Sequence, residues 1–225
     1  MIEIRDYSVS MSGRSLLDSQ SLCIQSGSIT GLVAPNGSGK TTFMRSLCGA
    51  SDIQASGEVR INGKITGKEG TYRREIFYVP GDASILYPLL TVRDNLLIAH
   101  SCWRDALEVE DISERCHIRS FLNKRVCRLS LGMKQQVSLA IGYMVGARYL
   151  LLDEPMNALD PTNLEINSQI ICELRDSGTG ILMSSHILGS VDELADRVVF
   201  IKDGKFVCGL GADSGTKAAY KQLYG

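Results

Sequence analysis

Apolar and polar positions change period several times along this chain, and each change marks an element. Residues 2–9 (IEIRDYSV) largely alternate, which predicts a half-buried strand. Residues 29–34 (ITGLVA) form a compact apolar run of strand length. Just beyond it Phe43, Met44 and Leu47 share one helical face, which predicts a helix over 41–47. Residues 57–63 (GEVRING) read as a strand closed by an Asn62-Gly63 hairpin turn. Residues 76–79, 149–152 and 181–184 predict further short strands. Residues 198–201 and 205–208, joined at Asp203-Gly204, predict a closing hairpin.

Helical stretches lie between these runs. Thr91 is a natural N-cap for a helix through Ala99, and a second helical stretch covers about 111–122. Ser130 caps a helix to about Tyr143, and Pro161 suits the first turn of another to about Arg175. Residues 212–225 predict a short closing helix. The segment 83–129 reads as a helical lobe inserted between sheet elements. Strands alternating with helices predict an α/β fold: a mainly parallel sheet flanked by helices, with an antiparallel β part near the N-terminus. One domain over 1–225 is expected, with 1–82 and 130–225 as its core and about 83–129 as the lobe.

Composition narrows the class. Lys+Arg number 24 and Asp+Glu 25, a formal charge of −1, which does not favour nucleic acid or an anionic membrane surface as partner. Hydrophobic residues at 44% and charged residues at 22% are ordinary globular usage. The seven cysteines include no CxxC pair, which argues against a structural zinc site and a disulfide framework. Glu3, Arg5 and Asp6 leave no room for a signal-peptide core. The longest apolar stretch, 137–152, contains Arg148 and is shorter than the roughly 20 residues that cross a bilayer. A reduced, cytoplasmic setting is expected.

The candidate chemistry begins at Ala34-Pro35-Asn36-Gly37-Ser38-Gly39-Lys40-Thr41-Thr42, between a predicted strand and a predicted helix. That context is the one a phosphate-binding P-loop requires. Its glycines let backbone N–H groups turn toward phosphate oxygens, and the helix N-terminus adds positive potential. Lys40 would reach the β- and γ-phosphates, and Thr41 would place its hydroxyl on Mg²⁺. The pattern usually opens on glycine; here Ala34 holds that position. The second anchor is Leu150-Leu151-Leu152-Asp153-Glu154-Pro155, an apolar run delivering two carboxylates at a strand's C-terminal end. Asp153 would hold Mg²⁺, and Glu154 would polarise the water that attacks the γ-phosphate.

Three further stretches carry a family resemblance. Leu129-Ser130-Leu131-Gly132-Met133 resembles the LSGGQ signature of ATP-binding cassette (ABC) ATPases. Asn157-Ala158-Leu159-Asp160 resembles their D-loop, and Ser184-Ser185-His186 their switch histidine. The ordered motifs span Met1 to about Gly209. The signature variant, with Leu131 and Met133, is similar to those of drug and bacteriocin exporters and their immunity systems.

This resemblance implies ATP and Mg²⁺ as ligands and a homodimer or pseudo-dimer of cassettes, each ATP lying between one P-loop and Ser130 and Gly132 of the other copy. It implies roles at the nucleotide for Asp160, and for His186 at the γ-phosphate beside the catalytic set Lys40, Asp153 and Glu154. It implies a separate transmembrane permease, contacted from the inner face of the membrane. Residues Leu86, Tyr87, Leu89 and Leu90 would supply the docking surface, or else pack within the lobe.

Beyond Ala34, three positions depart from the family pattern, and one of them, Leu131, removes a signature glycine beside the phosphate. The usual adenine-stacking aromatic is replaced by Met11, which can cover a ring face with less stacking energy. In Tyr78-Val79-Pro80-Gly81-Asp82 the usual glutamine is replaced by Gly81, with Asp82 beside it as a substitute toward the metal. The alternative function is a soluble non-transport ABC ATPase, an assembly or remodelling factor. A small-molecule P-loop kinase leaves the signature, the D-loop and His186 unexplained.

Overall fold

The computed structural model describes residues 1–66, 75–103, 106–208 and 215–225. Two sheets form the frame. The first is antiparallel in the order β2-β1-β4-β5, from Arg14–Ile24 (β2), Ile2–Met11 (β1), Gln54–Ile61 (β4) and Lys64–Ile65 (β5). The second has the order β10-β9-β3-β8-β7-β6. In it Arg197–Lys202 (β9), Ile29–Val33 (β3), Gly180–Ser184 (β8), Tyr149–Asp153 (β7) and Ile76–Val79 (β6) run parallel. Only Lys205–Cys208 (β10) is antiparallel, hairpinned to β9.

The three central parallel strands, β3, β8 and β7, are buried on both faces, which is why they read as continuous runs of largely apolar residues. β7 shows the sorting. Tyr149 and Leu151 enter the core beneath the first sheet, while Leu150 and Leu152 enter the core on the helical side. Helix α1 (Lys40–Leu47) lies between the sheets and sends Phe43, Met44 and Leu47 into the first of these cores, the face its spacing predicted. Helices α4 (Leu131–Met144) and α5 (Pro161–Asp176) cover the other face, together with α2 (Val92–Cys102) and α3 (Val109–Arg115). Each fully buried Leu, Ile or Val there contributes roughly 1.5–3 kcal/mol of transfer free energy. Helix α6 (Leu188–Leu194) and α7 (Thr216–Tyr224) close a third, smaller cluster around Val33 and Phe200.

Several expected boundaries shift. The stretch expected to be helical over about 111–122 is instead α3, broken at His117 (φ 55°), then a short 3₁₀ turn at Arg119–Phe121. β2 and α6 were not read in the sequence. The closing helix starts at Thr216; residues 212–214 of its expected span, and Gly209, lie outside the described residues. Leu86 packs in the helical-side core, whereas Tyr87, Leu89 and Leu90 are exposed. All seven cysteines are free, and no described helix is long and apolar enough to cross a membrane.

Candidate active site

Parallel strands put their C-terminal ends on one edge. The P-loop leaves β3 there, Asp153-Glu154 end β7, and Ser184-Ser185-His186 end β8. Register locks the three together, with Asp153 opposite Ser184 and Ser184 opposite Leu32. Gly37 and Gly39 take positive φ, 77° and 97°, so the loop doubles back beneath the first turn of α1. Ala34 is not among the positive-φ residues, so the family's glycine is dispensable at that position.

Lys40 is buried, and its Nζ donates to the carbonyls of Ala34 (2.7 Å) and Pro35 (3.4 Å). The same ammonium stands 3.8 Å from Glu154 Oε1. A charge held over the hollow of the loop suits an anion with several oxygens. Met11, Arg14, Leu16, residues 36–42 and Glu154 line one cleft around this ammonium. Met11, 36% exposed at the end of β1, lines this cleft together with the P-loop.

A second cleft joins Thr41, Asp82, Asp153 and Glu154 with Arg45, Tyr78 and Gly81. Thr41 Oγ1 donates to Asp153 Oδ2 at 2.6 Å, and Tyr78 Oη donates to the same oxygen at 3.0 Å. Ser184 Oγ donates to Asp153 Oδ1 at 2.5 Å. Asp153 is only 5% exposed and has three donors but no ion pair among the described residues. A buried carboxylate without a counter-charge is costly, and a hydroxyl and a carboxylate are hard oxygen donors, so the pair fits a small divalent cation. Burial first, then the negative charge of Asp153, pushes the Tyr78 phenol well up, so it stays a donor. The Ser84 hydrogen bonds hold the Asp82 carboxyl below its ordinary value.

Glu154 has φ 50°, in the left-handed region. Its amide donates to Ser184 Oγ at 2.9 Å, which helps hold that conformation. Its Oε2 meets His186 Nδ1 at 2.8 Å and accepts from the His186 amide at 3.1 Å. Lys40, Glu154 and His186 therefore converge, as do Thr41 and Asp153. The sequence alone did not reveal the Tyr78 and Ser184 contacts to Asp153.

The remaining candidates lie apart from this centre. Ser130 caps α4 through Met133 N at 3.2 Å and is exposed, with Leu131 beside it 62% exposed. Gly132 lies against the Ala158 carbonyl. Asp160 caps α5, accepting from Asn163 N (3.0 Å) and Nδ2 (2.6 Å), bonds that hold its carboxyl below its ordinary value. Ser130, Gly132 and Asp160 line neither of the two clefts.

Sheet order, P-loop and paired carboxylates define an α/β P-loop nucleoside triphosphatase. A family model described as "ABC transporter" matches residues 17–157. The lantibiotic transport ATP-binding protein SrtF of Streptococcus pyogenes is 30% identical over 208 residues, covering 92% of this chain and 89% of SrtF. A solved ATP-binding subunit of an ABC transporter shares the fold, at TM-score 0.89 and 24% identity over 99% of both chains. So does a dimer of the ATP-binding cassette MJ0796 in a post-hydrolysis state with ADP and Pi, at TM-score 0.78 and 24% identity, over 92% of this chain and 96% of that one. The chain belongs to the ABC transporter family, as one of its ATP-binding ATPase subunits.

Proposed function

We propose that this chain hydrolyses magnesium-bound ATP between two copies of itself and so drives a separate membrane permease from the inner, cytoplasmic face of the membrane. The observation that carries the reading is the convergence of Lys40, Glu154 and His186 on one side of the P-loop mouth, with Thr41 and Asp153 on the other. The residues 34–42 would wrap the phosphates with backbone amides, and Lys40 would exchange its loop carbonyls for phosphate oxygens. Met11 would lie against the base. Thr41 and Asp153 would hold Mg²⁺, with Asp82 in the same cleft. Magnesium, when bound, supplies positive charge against phosphate oxygens.

Glu154 would accept the proton of the attacking water, while His186 holds its Oε2 and contacts the γ-phosphate. Ser130, Gly132 and Asp160 stand outside the clefts of their own chain, so their proposed use is across the dimer. There the Ser130 hydroxyl and the start of α4 would face the γ-phosphate of the partner's ATP. The dimeric state of MJ0796 supports this arrangement. Likeness to SrtF supports a permease partner and a place among export or immunity systems for antibiotic peptides.

The test is Glu154→Gln. Phosphate release from Mg-ATP should fall at least about 100-fold, the usual scale for losing a general base. An ATP-held dimer should accumulate in size-exclusion chromatography with light scattering. Ordinary phosphate release by the variant would mean that Glu154 is not the general base.

A further inference from the structure

Asp153 receives three donated hydrogen bonds on two oxygens. Ser184 takes Oδ1 alone, while Thr41 and Tyr78 converge on Oδ2. The three donors come from three elements: β8, α1 and β6. Tyr78 sits on the strand paired to β7, opposite Leu151, and its hydroxyl reaches forward to the carboxylate at the end of that strand. The loop that follows brings no side chain to Asp153 from position 81. Gly81 lies so close that a Cβ there would stand 2.6 Å from the Asp153 carbonyl oxygen.

We propose that Tyr78 is a positioning residue for the cation: its hydroxyl fixes Asp153 Oδ2, and through it the direction in which Thr41 offers its lone pairs. The inference rests on the metal-holding roles proposed above for Thr41 and Asp153. Rotation about the last torsion of Asp153 carries both oxygens together, so the single Ser184 bond at Oδ1 restrains the carboxylate plane from one side, and the Tyr78 bond at Oδ2 sets it from the other. Thr41 cannot be the second anchor, because Thr41 is the group to be oriented. A hydroxyl has one proton and two acceptor lone pairs. With the proton committed to a fixed Oδ2, the Thr41 lone pairs face the open cleft shared with Asp82. A packing role for Tyr78 resides in its ring, which phenylalanine retains; the positioning role resides in its oxygen.

Tyr78→Phe separates the two. ATP binding is followed by calorimetry in EDTA and across a Mg²⁺ titration, for the unaltered chain and the variant. In EDTA the two proteins should bind ATP within twofold of each other. The Mg²⁺ concentration that half-maximally enhances ATP affinity should rise about tenfold in the variant. Phosphate release lost at low Mg²⁺ should return at saturating Mg²⁺. An unchanged Mg²⁺ midpoint overturns the proposal. So does an equal loss of affinity in EDTA, which would place Tyr78 in the general build of the site. If ATP binding by the unaltered chain ignores Mg²⁺, the failure lies with the metal-holding roles of Thr41 and Asp153, and the proposal falls with them.

Discussion

Gly81 illustrates how one missing side chain shapes the site. Its φ is not positive, so the constraint is contact, not conformation. Gly81→Ala would drive a methyl to 2.6 Å from the Asp153 carbonyl oxygen, and the loop or the end of β7 must move. A cost of about 1–3 kcal/mol is expected, as for other overpacked positions, read as a lowered urea midpoint at unchanged slope. At this scale the sequence was legible where chemistry depends on a local backbone form. Lys40, Thr41, Asp153 and Glu154 sit together as residues 34–42 and 150–155 implied, because a strand–loop–helix carries its own geometry. Contacts made by the ends of long side chains across strands were not legible. Tyr78 to Asp153 spans 75 positions and Ser184 to Asp153 spans 31, and no local pattern encodes either.

Elements with strong end signals were the readable ones. Thr91 and Asp94 form a reciprocal capping box at the start of α2: Thr91 Oγ1 accepts from Asp94 N at 3.1 Å, and Asp94 Oδ2 accepts from Thr91 N at 3.0 Å. Thr91→Ala should cost about 1 kcal/mol by denaturant unfolding. The Thr91 hydroxyl first, then its amide, lowers the Asp94 carboxyl from its ordinary 3.8. The folded state therefore holds this proton less tightly than the unfolded chain. The contribution is complete above 3.8 and disappears as pH falls through the lower folded value; Asp94→Asn should remove that part of the acid dependence. Elements without such signals escaped. β2 (RSLLDSQSLCI) mixes polar and apolar positions, and its pairing with β1 is interrupted by register shifts near Asp6 and Ser19, both at positive φ. α6 has no side-chain cap and only seven residues. α3 stops early because His117 takes a left-handed turn that spacing alone does not announce.

For the molecule as a whole, the P-loop, Asp153-Glu154 and His186 lie at one sheet edge, whereas Ser130 and Leu131 are exposed away from it. Ser130→Arg replaces a small hydroxyl by a bulky cation at the proposed dimer face. The variant should bind ATP as a monomer with unchanged affinity by calorimetry. Light scattering that shows a full ATP-held dimer would reject the composite site. The sheet-and-helix layout was readable because the central parallel strands are largely apolar. The meeting of two copies came only from the likeness of residues 129–133 to the family signature, since hydrophobic patterning within one chain carries no record of a second.

The left-handed conformation of Glu154 has a consequence for the history of the chain. An ordinary L-residue held there costs roughly 1–2 kcal/mol, a strain glycine largely escapes and asparagine eases. Under pressure for heat tolerance alone, drift would settle one of those two at the end of β7. On the general-base role proposed for Glu154, a lineage that kept a carboxylate on that uncomfortable backbone would be filtered for turnover, and a survey of thermally hardened variants should find this position among the last to yield.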